Sequence, residues 1–419
     1  MTNNSREKHR NIKKSWIIII VILSIFLVPT LSFSEIPIRI EDFFFIFIII
    51  GASKGSINNI LRKILIAKRL VQLLVLFFIA ALISFYISVF QDYIPTIQDY
   101  NYLISLLRNI IILIAGLLVG RGLMVPPSKL LFLISLGIMG SSLLSLVQFF
   151  DIFNIAKSVS SFYGKLYHSE FGVTRATGTL GNPNYASFFQ MIGFIVLLVT
   201  NQPKVKVLRF IKYVSLVLVA TSVIVTFSRT GFFSLALIIF LYIVLNKKGK
   251  LLLFSFFIIG FSIFKYSEIK VNARMADIFN ERLQVDATLN GRVSLIWVER
   301  IDQFYKNLLF GNGTQRGSIS TTIFSSTTFD NSFLFLLLTS GLIGLIIYLI
   351  FFYLEIAYFI KLWNSRYKII YLFMIMLNAL ILIFFLTTDL LVNVSFTSYF
   401  YFIIGLLITY TNKVTRNIT

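Results

Sequence analysis

Three arginines lie in segments whose composition departs from the apolar chain around them. Arg175 lies in TRATGTLGNPNYASFF, Arg229 in TFSRTGFFSLAL and Arg292 in LNGRVSLIWVERIDQFYKN. A guanidinium group binds phosphate through paired, charge-assisted hydrogen bonds. The residue types therefore suggest recognition of an anion, and several such groups together would suit a phosphate or diphosphate.

Each arginine also has an ordinary structural interpretation. Arg175 would anchor the chain at the headgroup level of a membrane or pair with Glu170. Arg229, between two apolar runs, would extend its charged end to the membrane surface. Arg292 would form a local ion pair, because its loop contains charges of both signs. Their joint placement, more than any one of them, favours a shared anionic ligand.

The segment around Arg292 is predicted to form an amphipathic helix lying at a membrane surface. Its apolar residues fall close to one face: Val293, Ile296, Trp297, Ile301 and Phe304. Asn290 is a candidate N-cap, which puts Arg292 in the first turn beside free backbone N–H groups. Because a cation is unfavourable at that end of a helix, the arrangement indicates an anionic partner or a carboxylate neighbour.

Two short polar segments each come directly before an apolar segment. Gly181-Asn182-Pro183-Asn184 is typical of a turn followed by a helix start, and Asn184 is also a candidate substrate-binding residue. Asp330 and Asn331 open another apolar segment. Asp330 is a candidate catalytic base for an acceptor hydroxyl, although geometry alone favours a helix cap.

The composition is that of a membrane protein. The chain has 419 residues, of which 57% are hydrophobic and 13% charged, and its mean hydropathy is +0.87; this favours one bundle of helices in a bilayer. Lys and Arg outnumber Asp and Glu by 38 to 17, which cytoplasmic loops explain better than nucleic-acid binding. Without cysteine and with only two histidines, thiolate chemistry is excluded and a His-rich metal site is implausible. No cofactor is predicted.

Apolar segments of about 20 residues predict twelve transmembrane helices. They are placed near 15–34, 36–53, 70–90, 103–120, 129–150, 185–201, 213–228, 230–246, 250–266, 331–358, 370–388 and 396–411. The basic and apolar N-terminal stretch is interpreted as a retained first span. With the N-terminus inside, every inner loop is basic and the outer loop near 91–102 has no Lys or Arg, as the positive-inside rule requires. Both termini are therefore predicted to be cytoplasmic.

The predicted fold class is an all-α polytopic integral membrane protein with one large extracytoplasmic loop. Its predicted parts are a basic tail at 1–14, nine transmembrane helices within 15–266 with an outer loop at 151–184, the large loop at 267–330, three more helices within 331–411, and a tail at 412–419. Gly341 and Gly344 in the tenth span are expected to allow close helix packing.

The order of these segments resembles one family of membrane enzymes. Arg175 comes before a G-x-x-x-N-P-N-like turn, and a Ser-Arg-x-Gly junction at Arg229 follows. A large loop with Arg292 and Gly311-Asn312-Gly313 comes next, and then a polar pair opens a span containing Gly-Leu-Ile-Gly-Leu. The set is similar to the O-antigen ligase and O-antigen polymerase (Wzy-type) superfamily over roughly residues 170–350.

The resemblance implies a glycosyltransferase-C-like helical fold with its site at the outer face of the plasma membrane. It implies transfer of a glycan from undecaprenyl diphosphate to an acceptor, without a metal or a nucleotide sugar. Arg175, Arg229 and Arg292 would bind the diphosphate. Membrane lipids, a flippase and a chain-length regulator are the further partners implied, and nucleic acid is not.

One departure from the family bears on the activity. The ligases resemble one another in a His-Asn pair that opens the span after the large loop, and this chain has Asp330-Asn331 there. The difference favours a polymerase of lipid-linked repeat units over a ligase, with Asp330 as the base. His168, in the other outer loop, is a further catalytic candidate, although a lone histidine near a membrane surface is more often incidental.

Other classes of membrane protein remain as alternatives. A ligase would pass the glycan to a lipid, a protein or a wall polymer. A polysaccharide flippase would need ionisable groups in a central cavity, whereas almost every charge here lies at a predicted span end, with Glu355 the nearest exception. A non-catalytic scaffold has no positive feature in its favour.

Overall fold

The computed structural model describes most of the chain outside the predicted large loop. The described residues are 3–27, 31–33, 36–52, 54–121, 123, 125–152, 157–158, 162–163, 167–168, 174–201, 205–245, 305, 307–313 and 331–415.

The described chain is predominantly helical. Its helices are α1 (Asn3–Leu27), α2 (Ile40–Ile50), α3 (Lys54–Lys63), α4 (Leu65–Phe90), α5 (Ile97–Gly120), α6 (Pro127–Phe149), α7 (Pro183–Val199), α8 (Lys206–Ile224), α9 (Arg229–Leu245), α10 (Ser332–Ile360), α11 (Lys368–Thr387) and α12 (Val394–Thr415), with a 3₁₀ turn at Leu390–Val392. Two short antiparallel hairpins accompany them: β1 (Leu31–Phe33) with β2 (Ile36–Ile38), and β3 (Tyr167–His168) with β4 (Thr174–Arg175).

Seven of the described helices are long and apolar enough to cross a membrane: α4, α5, α6, α8, α10, α11 and α12. The pair α2 and α3, bent by 90°, would make an eighth span. The apolar part of α1 and the helices α7 and α9 are shorter. The predicted span at 250–266 lies outside the described residues. The polytopic helical class is thus confirmed, and the number of twelve stays a prediction.

The chain divides into two compact units. Unit 1 comprises residues 1–137, 297–375 and 384–419, and unit 2 comprises residues 138–296 and 376–383. Within unit 1, α5 and α12 approach with their backbones in contact. A Cβ atom on Gly116 would overlap the Phe402 carbonyl oxygen, and one on Gly405 would overlap that of Leu113. Small residues thus permit this crossing, as is usual between membrane helices.

Helix α10, also in unit 1, is broken at Gly341, whose φ of 64° and ψ of −166° are not helical. The segment Leu308–Gly313 fills the break: Leu342 N donates to Leu308 O over 3.0 Å, and Asn312 N donates to Leu338 O over 2.7 Å. These bonds satisfy backbone groups that the kink frees, as a helix in lipid requires. The expectation that Gly341 serves helix packing is therefore wrong, since Gly341 receives a loop. Gly344 does face another helix, because a Cβ atom added to it would lie 3.3 Å from the Phe77 ring of α4.

Unit 2 is organised around α7, which is buried along almost its whole length. Helices α8 and α9 pack against it. Both neighbours expose apolar side chains on their other sides, for example Phe210 and Phe240, as expected of helices that face lipid. The central position of α7 fixes the place of its first turn, which belongs to the site described next.

Candidate functional site

Arg175 ends strand β4 and points at the end of α8. Its Nε donates to Thr226 O over 3.0 Å, and its Nη2 donates to Phe227 O over 3.3 Å. Phe227 has a φ of 49°, so these carbonyls belong to a left-handed turn that ends the helix. A cation is favourable there, because the last carbonyls of a helix carry its negative end. Arg175 thus caps α8 and holds the turn that leads to Arg229.

The residues that follow Arg175 are fixed by side chains of α6. Gln148 Oε1 accepts from Thr177 N over 2.9 Å and from Gly178 N over 3.0 Å. A Cβ atom on Gly178, whose φ is 55°, would lie 2.6 Å from Ser145 Oγ. Residues 176–179 are therefore buried and are held in place by α6.

Asn184 lies in the first turn of α7. Asn182 is the N-cap, and its Oδ1 accepts from Asn184 N over 2.8 Å and from Tyr185 N over 3.4 Å. Pro183 occupies the first helical position, where its missing N–H has no cost. The predicted turn and helix start are confirmed. Asn184 itself is half-buried. The described contacts of this residue do not test its predicted role in substrate binding.

Arg229 is the first residue of α9 and is half-buried. The first turn of α9 abuts the second turn of α7, since a Cβ atom on Gly231 would lie 2.9 Å from Ser187 Cβ. Two helix N-termini are therefore neighbours at this end of unit 2, and Arg175 lies against the turn between α8 and α9. Helix N-termini and guanidinium groups both favour anions. The arrangement can hold a phosphate-bearing group.

Of the remaining predicted site residues, His168 is described and its backbone lies close to Arg175. His168 pairs with Thr174 in the β3–β4 hairpin, which gives its backbone a position next to Arg175 in the ladder. Arg292 and Asp330 lie outside the described residues. Their predicted roles, like those of Arg175, Arg229, Asn184 and His168, stay predictions.

Asn331, not Asp330, is the N-cap of α10. Its Oδ1 accepts from Phe333 N over 2.9 Å and from Leu334 N over 3.0 Å. Ser332 fastens this end of the helix to the end of α11, because its Oγ donates to Thr388 O over 2.9 Å and accepts from Leu390 N over 3.0 Å. The N-cap role that was considered for Asp330 is therefore filled by its neighbour, Asn331.

Sequence reasoning missed a carboxylate at the same end of unit 1. Asp389 follows Thr388, whose carbonyl accepts the Ser332 hydrogen bond, and its side chain is buried. A signal was available, because Asp389 interrupts the apolar run FFLTTDLLVNVSF. Intramembrane or buried carboxylates are uncommon and often functional, so Asp389 joins Asp330 as an acidic residue next to the start of α10.

A second group of charges, also missed, lies inside unit 1. Arg39 Nε and Glu41 Oε1 are 2.6 Å apart, and Arg108 Nη2 is 3.6 Å from the same oxygen. Arg108 Nε also pairs with Asp42. Two cations and two carboxylates thus neutralise one another where α2 meets α5. The expectation that almost all charges lie at span ends overlooked Arg108, which sits inside α5 and has its partners in α2.

Comparison with known protein families tests the predicted resemblance. The family model described as O-antigen ligase (Wzy_C) matches residues 214–349, about a third of the chain. The match contains Arg229, Arg292 and Asp330 but begins after Arg175 and Asn184. No curated protein matches the chain. The match supports a ligase- or polymerase-type activity in general. It also confirms, over residues 214–349, the predicted resemblance to the O-antigen ligase and polymerase superfamily.

Proposed function

We propose that this protein polymerises lipid-linked oligosaccharide repeat units at the outer face of the plasma membrane. The growing glycan would move from undecaprenyl diphosphate to an incoming repeat unit on its own lipid carrier. The product would be an O-antigen, a capsular polysaccharide or an exopolysaccharide. Both termini would be cytoplasmic, which puts the first turns of α7 and α9 at the outer surface.

One observation carries the proposal: Arg175 braces the turn that presents Arg229, beside the paired N-termini of α7 and α9. A diphosphate needs several donors aimed at one place, and preorganised cationic donors are a large term in catalysis. The hydrogen bonds from Arg175 to Thr226 O and Phe227 O supply such preorganisation. Arg292 would add a third guanidinium from the large loop, as the family resemblance implies.

In the proposed reaction, the acceptor hydroxyl attacks the anomeric carbon of the donor's reducing-end sugar. The bond from that carbon to the diphosphate oxygen breaks, and a glycosidic bond forms. The lipid diphosphate leaves with the electron pair, and Arg175, Arg229 and Arg292 stabilise its charge. The hydroxyl proton passes to a base. Asp330 is the first candidate for this base, and His168 is the second.

Helix capping does not account for Asp330, because Asn331 fills that position in α10. This supports a chemical role for the carboxylate. Asp330→Asn should stop polymer formation while the protein accumulates normally. Asp92→Asn is the matched control, since Asp92 is exposed in another predicted outer loop. Equal polymer from both variants would remove Asp330 from the mechanism.

The gene deletion separates the activities. The surface glycan is run on a gel, and the lipid-linked pool is extracted beside it. Loss of the ladder, with single repeat units on the carrier, is the expected result. Full-length polymer left on the lipid carrier would indicate the ligase, the activity that the matched family is described by. Repeat units trapped at the inner face would indicate a flippase and overturn the interpretation of the arginines.

A flippase and a chain-length regulator are the proposed partner proteins, because repeat units must be delivered to the outer face and the chain length must be limited. The proposed reaction uses no metal ion or other cofactor. The acceptor hydroxyl, the base and the arginines account for each bond made and broken.

A further inference from the structure

A cavity of about 630 Å³ opens at the end of unit 1 where α3, α5 and α12 terminate. It lies between the last turn of α3, the segment after α5, the connection from α10 to α11, and the end of α12. In the predicted orientation this is the cytoplasmic end of unit 1, whereas the proposed diphosphate site is assigned to the outer face. The proposed glycan chemistry does not use this cavity.

The charge of the cavity has one sign. Lys63, Arg121 and Arg366 line it, and none of the described lining residues is a carboxylate. The positive-inside rule accounts for cations at this end of the helices. It does not account for three of them gathered around one concavity. A concentration of positive charge around a cavity attracts an anionic ligand.

The remaining walls are largely apolar and aromatic. They are formed by Ile60, Ile64, Leu123, Val125, Pro126, Pro127, Tyr367 and Tyr410. Arg366 lies over the Tyr367 ring at 5.0 Å and donates to its hydroxyl over 3.1 Å. Tyr410 donates to Val125 O, so the aromatic walls are fixed in place. An inorganic anion would gain nothing from these walls, whereas the glycerol and acyl part of a lipid would.

Arg121 also lines a second cavity, of about 550 Å³. Its other lining includes Ile17, Phe47, Ile48, Leu118 and Val119. The guanidinium, which donates to Ser56 O over 3.4 Å, therefore stands between a cationic concavity and an apolar one. A phosphate at the first and an acyl chain along the second would match a single amphiphilic molecule.

We propose that this pair of cavities binds an anionic phospholipid, with its phosphate held by Lys63, Arg121 and Arg366. Basic pockets between membrane helices are a recognised way to bind anionic lipid headgroups. The bound lipid stabilises the ends of α3, α5 and α12 against one another, because a ligand that binds only the folded protein adds to its stability.

The test titrates the purified full chain in detergent micelles with phosphatidylglycerol, phosphatidylcholine or inorganic phosphate, and counts bound lipid by native mass spectrometry. Phosphatidylglycerol should bind more tightly than phosphatidylcholine. Arg121→Gln/Arg366→Gln should weaken phosphatidylglycerol binding by roughly 30-fold, or about 2 kcal/mol, and leave phosphatidylcholine unchanged. Lys68→Gln/Arg69→Gln is the control, because both side chains are exposed on α4 and neither lines either of these two cavities.

Equal binding of the two lipids by the wild type would overturn the proposal. So would unchanged phosphatidylglycerol binding in the double variant. Competition by inorganic phosphate at the same concentration would mean a site for a soluble anion, which also overturns the lipid assignment. If the double variant does not fold, the single variants Lys63→Gln and Arg366→Gln decide, with roughly a fivefold loss expected for each.

Discussion

Gly311 and Gly341 meet backbone to backbone within unit 1: a Cβ atom on Gly341 would lie 2.5 Å from the Gly311 nitrogen. Both residues have positive φ, 76° and 64°. They come from two of the segments that carry the family resemblance, the Gly-x-Gly of the loop and the Gly-x-x-Gly of α10. The two motifs are therefore two halves of one contact, in which a segment of the predicted large loop is anchored to the break in the helix.

Replacing Gly341 by alanine should destabilise the protein by roughly 2 kcal/mol or more. The added Cβ would overlap Leu309 O, and a non-glycine residue at such a positive φ is strained. The measurement is thermal unfolding of the purified protein in detergent. Gly55→Ala is the control, because nothing lies within 4 Å of its added Cβ and alanine favours a helix. Equal melting temperatures for the two variants would contradict this account of the kink.

The sequence predicted the membrane class and most of the long helices, because apolar runs of span length are a strong local signal. It also predicted the helix start at Asn182-Pro183, since capping is local. It could not predict the break at Gly341, which depends on a loop some thirty residues earlier. Nor did it pair Arg108 with Glu41 and Asp42, because charges in different apolar segments show no partner until the helices pack.

Arg175 and Arg229 should respond differently to replacement by alanine. Arg175→Ala removes the hydrogen bonds to Thr226 O and Phe227 O, so it should lower stability by about 1–3 kcal/mol as well as abolish polymer. Arg229→Ala should abolish polymer at normal stability. Polymer is read from a glycan gel and stability from thermal unfolding. Arg209→Ala, at the exposed other end of α8, should change neither, and full-length polymer from Arg229→Ala would remove this arginine from the diphosphate site.

Replacing each of the two asparagines at the start of α7 by alanine should also have different effects. Asn182→Ala removes the N-cap acceptor of Asn184 N and Tyr185 N, and should cost about 1 kcal/mol of stability. Asn184→Ala should leave stability within error and reduce polymer, if its side chain contacts the substrate as predicted. Unfolding and glycan gels on the same preparations compare the two effects. Wild-type polymer from the Asn184→Ala variant would show that the Asn184 side chain has no role in substrate binding.

The charges of Arg39, Glu41, Asp42 and Arg108 should act as a balanced structural network. Glu41 is fully buried and Arg39 is 5% exposed, and Arg39 also donates to Ser395 Oγ and Ile25 O over 2.5 and 2.6 Å. The network thus joins α2 to α1, α5 and α12. Glu41→Gln leaves two arginines against one carboxylate, and should destabilise the protein by about 3–5 kcal/mol.

The double variant Arg39→Met/Glu41→Gln restores the balance of charge, because Arg108 keeps its pair with Asp42. Its loss of stability should therefore be smaller than the sum of the two single losses, which is the signature of coupled residues. Unfolding in mixed detergent micelles measures all three, with Arg69→Met as an exposed control expected to change little. Added salt should not alter the coupling, since a buried pair is screened much less than an exposed one. If the losses simply add, Arg39 and Glu41 do not depend on each other and the network is not the tie between these helices.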